Sequence, residues 1–302
     1  MTATRSSAFS YNYAIVCRVP RSFADRGISA NGREIDFEAA RAEHRQLVDT
    51  LRKCSLNIIE LQEDEDYKDC CCVEDCAVII GGTALITRPG LKTRQGETKE
   101  IRRVLKQDLK LRIHEIDDGT ATLDGGDVLF TGKEIFVGIG RNTNEQGAQA
   151  VAQAFPEYMV VPIYIDRIGA LHLKSICSMA GRQVIAVSDS ADGTEVYKQI
   201  KMRAQFSYEL LKLESEAAAN MIYVNGRLIH RTREEINETA SSVLDEKILN
   251  PRHTVSIREL EQARVTLSSL VLLINKERRA RKIVSNLQDE DMDRYATIKT
   301  LK

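Results

Sequence analysis

Residues 220–231 read NMIYVNGRLIHR: two apolar runs about Asn225-Gly226, a dipeptide suited to the left-handed backbone of a two-residue hairpin turn. The same arrangement recurs upstream. Residues 77–88 read AVIIGGTALITR, with Gly81-Gly82 between the runs, and residues 127–138 read DVLFTGKEIFVG about Gly132. In SICSMAGRQVIAVS, residues 175–188, the turn falls at Ala180-Gly181. Gly82, Gly132, Gly181 and Gly226 recur at intervals of roughly 45–50 residues, a period that marks a propeller-like or solenoid arrangement.

Between the hairpins lie segments of helical spacing. Over 37–53 (FEAARAEHRQLVDTLRK), Ala40, His44, Leu47 and Leu51 share one stripe. Segments 97–109, 143–154, 192–203 and 233–248 are of the same kind. A fifth hairpin assembles from YAIVCRV at 13–19 and VTLSSLVLLIN at 265–275, near opposite ends of the chain. Joining them closes a ring and removes exposed sheet edges. The expected fold is α/β: a single-domain, five-module pseudo-symmetric propeller, a closed ring of strand-helix repeats over residues 1–276. Residues 277–302, ERRARKIVSNLQDEDMDRYATIKTLK, fall outside the pattern and read as a charged C-terminal extension.

Composition narrows the function classes. The 302 residues carry 43 basic and 44 acidic side chains, a formal charge of -1, which excludes a strongly basic nucleic-acid binder. No run of 18 apolar residues occurs, and the N-terminus lacks an apolar core of signal-peptide length. The seven cysteines are an odd count and fit a reducing cytosol better than a disulfide framework. A cytoplasmic protein is expected, with no nucleic-acid or membrane partner.

Three stretches carry chemistry: DCCCVEDC at 69–76, LDGGDVLF at 123–130 and LHLKSICSMAG at 171–181. Each falls at a strand end or turn, where a ring of modules aims side chains at its centre. Asp69, Glu74, Asp75, Asp124 and His172 then converge. Clustered carboxylates repel unless a cation or shared proton compensates them, and a guanidinium matches them bidentately. The other reading of the same residues is helix caps and turns, where Asp is common. Cys70, Cys71, Cys72 and Cys76 suggest zinc, but no second CxxC or His-x-His accompanies them. Buried thiols are the expectation, with no metal and no cofactor.

At these motifs the sequence resembles the dimethylarginine dimethylaminohydrolases, or dimethylargininases, of the guanidine-modifying superfamily. The resemblance runs from about Tyr13 to Lys276, through ITRPG, VED, TLDGGDVLFTG, LHLKS, HRT-EE and LINK. It implies a five-module α/β propeller and hydrolysis of methylated arginine to citrulline and an alkylamine, within arginine metabolism and nitric oxide regulation. In that chemistry a cysteine thiolate attacks the guanidinium carbon while a histidine moves protons. By motif, the resemblance assigns guanidinium binding to Asp69 and Glu74, with Asp75 beside them. His172 becomes the acid/base, oriented by Asp124, Arg94 a holder of the substrate carboxylate, and Ile28 part of a lid.

The departures lie in the family's nucleophile segment. Anchored on Leu273–Lys276, this chain reads ARVTLSSLVLLINK, which puts Ser269 at the cysteine position and Arg264 at a guanidinium-binding aspartate. Asn142 stands at a second substrate-binding arginine. A serine hydroxyl needs a base during attack, whereas a thiol ionises near pH 8.5 by itself. At an effective dielectric of 20, a charge pair about 4 Å apart is worth roughly 4 kcal/mol, so Arg264 turns attraction for a cation into repulsion. The expectation is a catalytically impaired family member acting through a ligand or a protein partner. The alternative is a working hydrolase of methylated arginine or a related guanidine compound. Arg264 is also a candidate built-in substitute for the substrate, its guanidinium pairing with Asp69, Glu74, Asp75 or Asp124. Otherwise it points to solvent, as most arginines do.

Overall fold

At Asn225 and Gly226 the backbone takes φ of 51° and 74°, the two successive positive values a type I′ hairpin requires. The structure, a computed structural model, describes residues 8–26, 34–166 and 169–276. Ile28 and residues 277–302 lie outside them.

The strands come in chain order as β1 (Tyr13–Cys17), β2 (Asn57–Leu61), β3 (Ala77–Ile80), β4 (Thr83–Ile86) and β5 (Arg112–Glu115). Next are β6 (Val128–Phe130), β7 (Glu134–Ile139), β8 (Met159–Tyr164), β9 (Cys177–Gly181) and β10 (Val184–Ser188). The last are β11 (Glu209–Leu213), β12 (Ile222–Val224), β13 (Arg227–Arg231), β14 (Arg252–Val255) and β15 (Leu272–Ile274). They form five three-stranded sheets: β3-β4-β5, β6-β7-β8, β9-β10-β11, β12-β13-β14 and β15-β1-β2. In each, an antiparallel pair is extended by a strand parallel to its middle member. Parallel pairing needs a crossover, and the expected helical segments supply it. Phe37–Lys53, Thr98–Arg103, Glu145–Ala154, Ala191–Arg203 and Glu238–Lys247 each lie between a middle strand and its parallel partner.

The two chain ends meet as the sequence suggested: Tyr13 pairs with Ile274 and Ile15 with Leu272. One cavity takes wall residues from all five sheets, through Val78, Leu129, Met179, Ile222 and Leu272. Among the described residues, no helix is long and apolar enough to cross a membrane.

Three details differ from the sequence reading. Gly181 is the last residue of β9, and the turn falls at Arg182-Gln183, with a register shift between Val184 and Ile185. The hairpin thus turns two residues later than the Ala-Gly pair implied, beside that irregularity. Segment 233–248 is two helices, Arg233–Ile236 and Glu238–Lys247, separated by Asn237 at φ 68°. Asn tolerates that conformation, and its side chain caps the second helix by accepting from Ala240 N at 2.9 Å. Segment 97–109 is helical only over Thr98–Arg103, then widens into a π turn over Val104–Asp108.

The helix Phe37–Lys53 forms as written, with Ala40, His44, Leu47 and Leu51 buried and Asp36 as N-cap accepting from Ala39 N at 3.0 Å. Asp36→Ala should cost about 1 kcal/mol in chemical denaturation. No measurable loss would mean that the cap is dispensable.

Candidate active site

The convergence of distant motifs follows from the repeat. A short turn precedes the first strand of each hairpin: Val73–Cys76 before β3, Gly125–Asp127 before β6 and Leu173–Ile176 before β9. Glu216–Ala219 and Ser268–Leu270 hold the same place before β12 and β15. Asp75 lies in the first of these turns, while Asp124 and His172 immediately precede the second and third. Equivalent positions in successive modules therefore bring far-apart residues together.

His172 Nε2 lies 2.9 Å from Asp124 Oδ2 and 3.9 Å from Asp75 Oδ1. The Asn142 amide stands 3.2 Å from the same ring nitrogen and is buried. Asp75 Oδ1 accepts from Gly126 N at 2.9 Å, and Gly126 must be glycine. A Cβ there would sit 2.8 Å from Asp75 Oδ1 and 2.9 Å from His172 Cγ. Asp127 accepts from the Thr143 hydroxyl at 2.6 Å and from Leu173 N at 2.9 Å, so it fixes the backbone beside His172.

Electrostatics follow from burial and these neighbours. Burial opposes charge on His172, yet Asp75, Asp127 and Asp124 hold its pKa up at about 10. Burial likewise opposes charge on Asp75, but His172 and Arg94 bring its carboxyl down to about 2. Asp127 is pushed up to about 7 by burial, against the pull of His172. Asp75, Asp124 and His172 also place one ligand atom each within 4.8 Å of one another, the arrangement a cation would use. The imidazolium proton and Arg94 already supply that positive charge.

Arg94, which the resemblance makes a holder of the substrate carboxylate, is paired with buried acids in this structure. Its guanidinium is buried, donating to Asp75 Oδ2 at 2.6 Å, Glu97 Oε2 at 2.7 Å and the Cys72 carbonyl at 3.2 Å. A carboxylate pair this deep needs an internal cation, and Arg94 supplies it. Arg264, the candidate internal guanidinium, is exposed at φ 62°, the alternative the sequence left open. Among the described residues it makes no ion pair with Glu74, Asp75 or Asp124, which are held by Lys174 at 2.6 Å, by Arg94 and by His172.

Glu74 also accepts from the Ser268 hydroxyl at 3.0 Å. Asp69 is half-buried on the loop leading into the Val73–Cys76 turn. Ser269 is buried, and its hydroxyl donates to the Thr266 carbonyl at 2.7 Å, with Cys72 Sγ 3.9 Å away. Among the described residues no hydrogen bond links Ser269 to His172.

Sequence reasoning missed Glu97, Asp127, Thr143 and Lys174. Two carried a signal: Asp127 closes the quoted LDGGD, and Lys174 is the lysine of LHLKS. Glu97, three residues after Arg94, had only its helical spacing to mark it.

Known proteins share the family and the fold. The family model described as "N,N dimethylarginine dimethylhydrolase, eukaryotic" matches residues 23–259. The human protein "Putative hydrolase DDAH2" is 35% identical over 275 residues, covering 87% of this chain and 94% of its own. The N(G),N(G)-dimethylarginine dimethylaminohydrolase of Pseudomonas aeruginosa is 26% identical over 238 residues, covering 76% of this chain and 91% of its own. A Cys-to-Ser mutant of the Pseudomonas aeruginosa enzyme, solved with citrulline, superimposes with a TM-score of 0.74 at 22% identity. That match covers 88% of this chain and all of the other. With the family model matching most of the chain and the human relative spanning still more of it, the protein belongs to the eukaryotic dimethylarginine dimethylhydrolase family.

Proposed function

We propose that this chain keeps the dimethylargininase framework, does not hydrolyse methylated arginine, and acts by binding a ligand or protein partner. The five sheets, on this reading, close into a ring about the cavity they share, supported by the Tyr13–Ile274 pairing. His172, Asp124 and Asp75 correspond to the acid/base, its orienting carboxylate and a guanidinium-binding acid. The observation that carries the proposal is the position of Ser269. Its hydroxyl is bonded to the Thr266 carbonyl instead of to His172, which leaves no activated nucleophile at the family's cysteine position. Arg94 reinforces this, because a substrate guanidinium would have to compete with it for Asp75. The alternative, a serine-dependent hydrolase, needs His172 as a base, and an imidazolium cannot accept a proton.

The test is citrulline release by the full chain from asymmetric dimethylarginine and from monomethylarginine. The native protein and Ser269→Cys are both expected to stay at the no-enzyme background, the latter because Arg94 still holds Asp75. Citrulline formation by the native protein that His172→Ala abolishes would overturn the proposal.

A further inference from the structure

A second cleft, of about 420 Å³, lies against the helix Phe37–Lys53 and takes no residue from the candidate active site. One face of the helix lines it with Arg41, His44, Arg45, Asp49 and Arg52. Arg18, just beyond β1, and Glu60 of β2 face them. The walls therefore carry four guanidiniums and two carboxylates. Both carboxylates are taken. Glu60 Oε1 accepts from Arg18 Nε at 3.1 Å, and Asp49 Oδ1 from Arg52 Nη1 at 2.6 Å. Arg41 lies over the Phe37 ring, 5.4 Å from its centroid. Among the described residues, neither Arg41 nor Arg45 is paired with a carboxylate.

His44 adds an independent observation. Its ring belongs to the cleft wall, yet the residue is only 3% exposed, and Nε2 is enclosed with no hydrogen-bond partner among the described residues. A buried polar atom ordinarily has a partner, so one is missing here. We propose that this cleft binds a small phosphorylated metabolite. Its phosphoryl group sits between Arg41 and Arg45, and His44 turns to donate to it from Nε2.

Chemistry selects the ligand. A phosphoryl dianion has three terminal oxygens spread tetrahedrally, enough to meet two guanidinium forks and an imidazole N–H at once. A carboxylate has two oxygens in one plane. The dianion also balances the surplus of two positive charges in the walls. Burial, with Arg45 adding to it, holds the His44 pKa down at about 4 against the pull of Glu60. The ring is therefore neutral at physiological pH and contributes an N–H rather than a further charge. The volume lies within the range of small-molecule sites, roughly 300–1,000 Å³.

The cleft joins the helix Phe37–Lys53 to the ends of β1 and β2, which belong to the sheet where the two chain ends meet. A ligand seated there binds only the assembled module, so it stabilises the folded chain by mass action.

The experiment titrates the full chain with pyrophosphate by calorimetry in about 0.15 M sodium chloride, where a Debye length of about 8 Å screens distant exposed charges. The expected result is saturable one-to-one binding with a rise in the thermal midpoint. Arg41→Gln and Arg45→Gln, which keep helix propensity, should each raise Kd about tenfold. His44→Phe keeps a ring without the donor and should raise it by a similar factor. Replacing Lys198 and Lys201 by Gln removes as much positive charge from the helix Ala191–Arg203, which packs on another sheet, and should leave Kd unchanged. Absence of saturable binding overturns the proposal, as does equal weakening by the lysine pair. An unchanged Kd in the arginine variants or in His44→Phe overturns it too. So does binding to phosphatidylcholine vesicles carrying phosphatidylinositol phosphate without binding of pyrophosphate, since the source would then be a lipid surface. If His44→Phe fails to fold, the two arginine variants decide.

Discussion

Replacing Arg94 by methionine should lower folding stability by about 3–5 kcal/mol, read as a fall in the urea midpoint at neutral pH. Arg94, Asp75 and Glu97 form one buried triad, with side-chain exposures of 8%, 2% and 3%. Removing the cation leaves two enclosed carboxylates without their partner, which costs far more than an exposed pair is worth. The pH dependence gives a second signature. In the native chain, Asp75 has a folded pKa of about 2, below the ordinary carboxylate value. Its stabilisation is therefore present above about pH 4 and lost as pH falls toward 2. Without Arg94, the folded pKa of Asp75 should rise, and that of Glu97, which burial already holds above its ordinary value, should rise further. The sign then reverses: the variant loses stability as pH rises from about 4. A loss under about 1 kcal/mol would place Arg94 in water and return it to the role of a ligand-binding arginine.

His172 should remain an imidazolium throughout the physiological range. Its folded pKa of about 10 stands above the unfolded value of roughly 6.5, so its contribution is complete below pH 6.5 and is lost as pH climbs through 10. The stabilisation at stake is on the order of 4–5 kcal/mol. By nuclear magnetic resonance, the His172 ring signals should show no titration between pH 5 and 8. Denaturation should show stability falling between pH 8 and 10. An ordinary midpoint near pH 6.5 would supply a neutral base at neutral pH and would favour serine-dependent hydrolysis. On the proposed reading, the imidazolium charge keeps His172 from serving as the base a serine needs.

Much of this molecule was legible in the sequence, and the reason is local. Asn225-Gly226 and Gly82 specify their turns because few residues accept positive φ, and the stripe Ala40, His44, Leu47, Leu51 specifies its helix by spacing alone. Family membership was legible as well, because TLDGGDVLFTG and LHLKS occupy the turns that place Asp124 and His172. Where local chemistry was ambiguous, the sequence misled by two residues, as at Gly181, or merged two elements, as at Asn237. The partners of charged groups were not legible. Whether Arg94 or Arg264 supplies the internal guanidinium depends on which of them the fold encloses. Both are arginines near acids in sequence, but the turn holding Arg94 packs beneath Asp75, while the backbone at Arg264 turns its side chain outward. Sequence fixes what each short segment can be; the enclosure of charge, and hence which site residues remain available to a ligand, arises only when distant segments exclude water together.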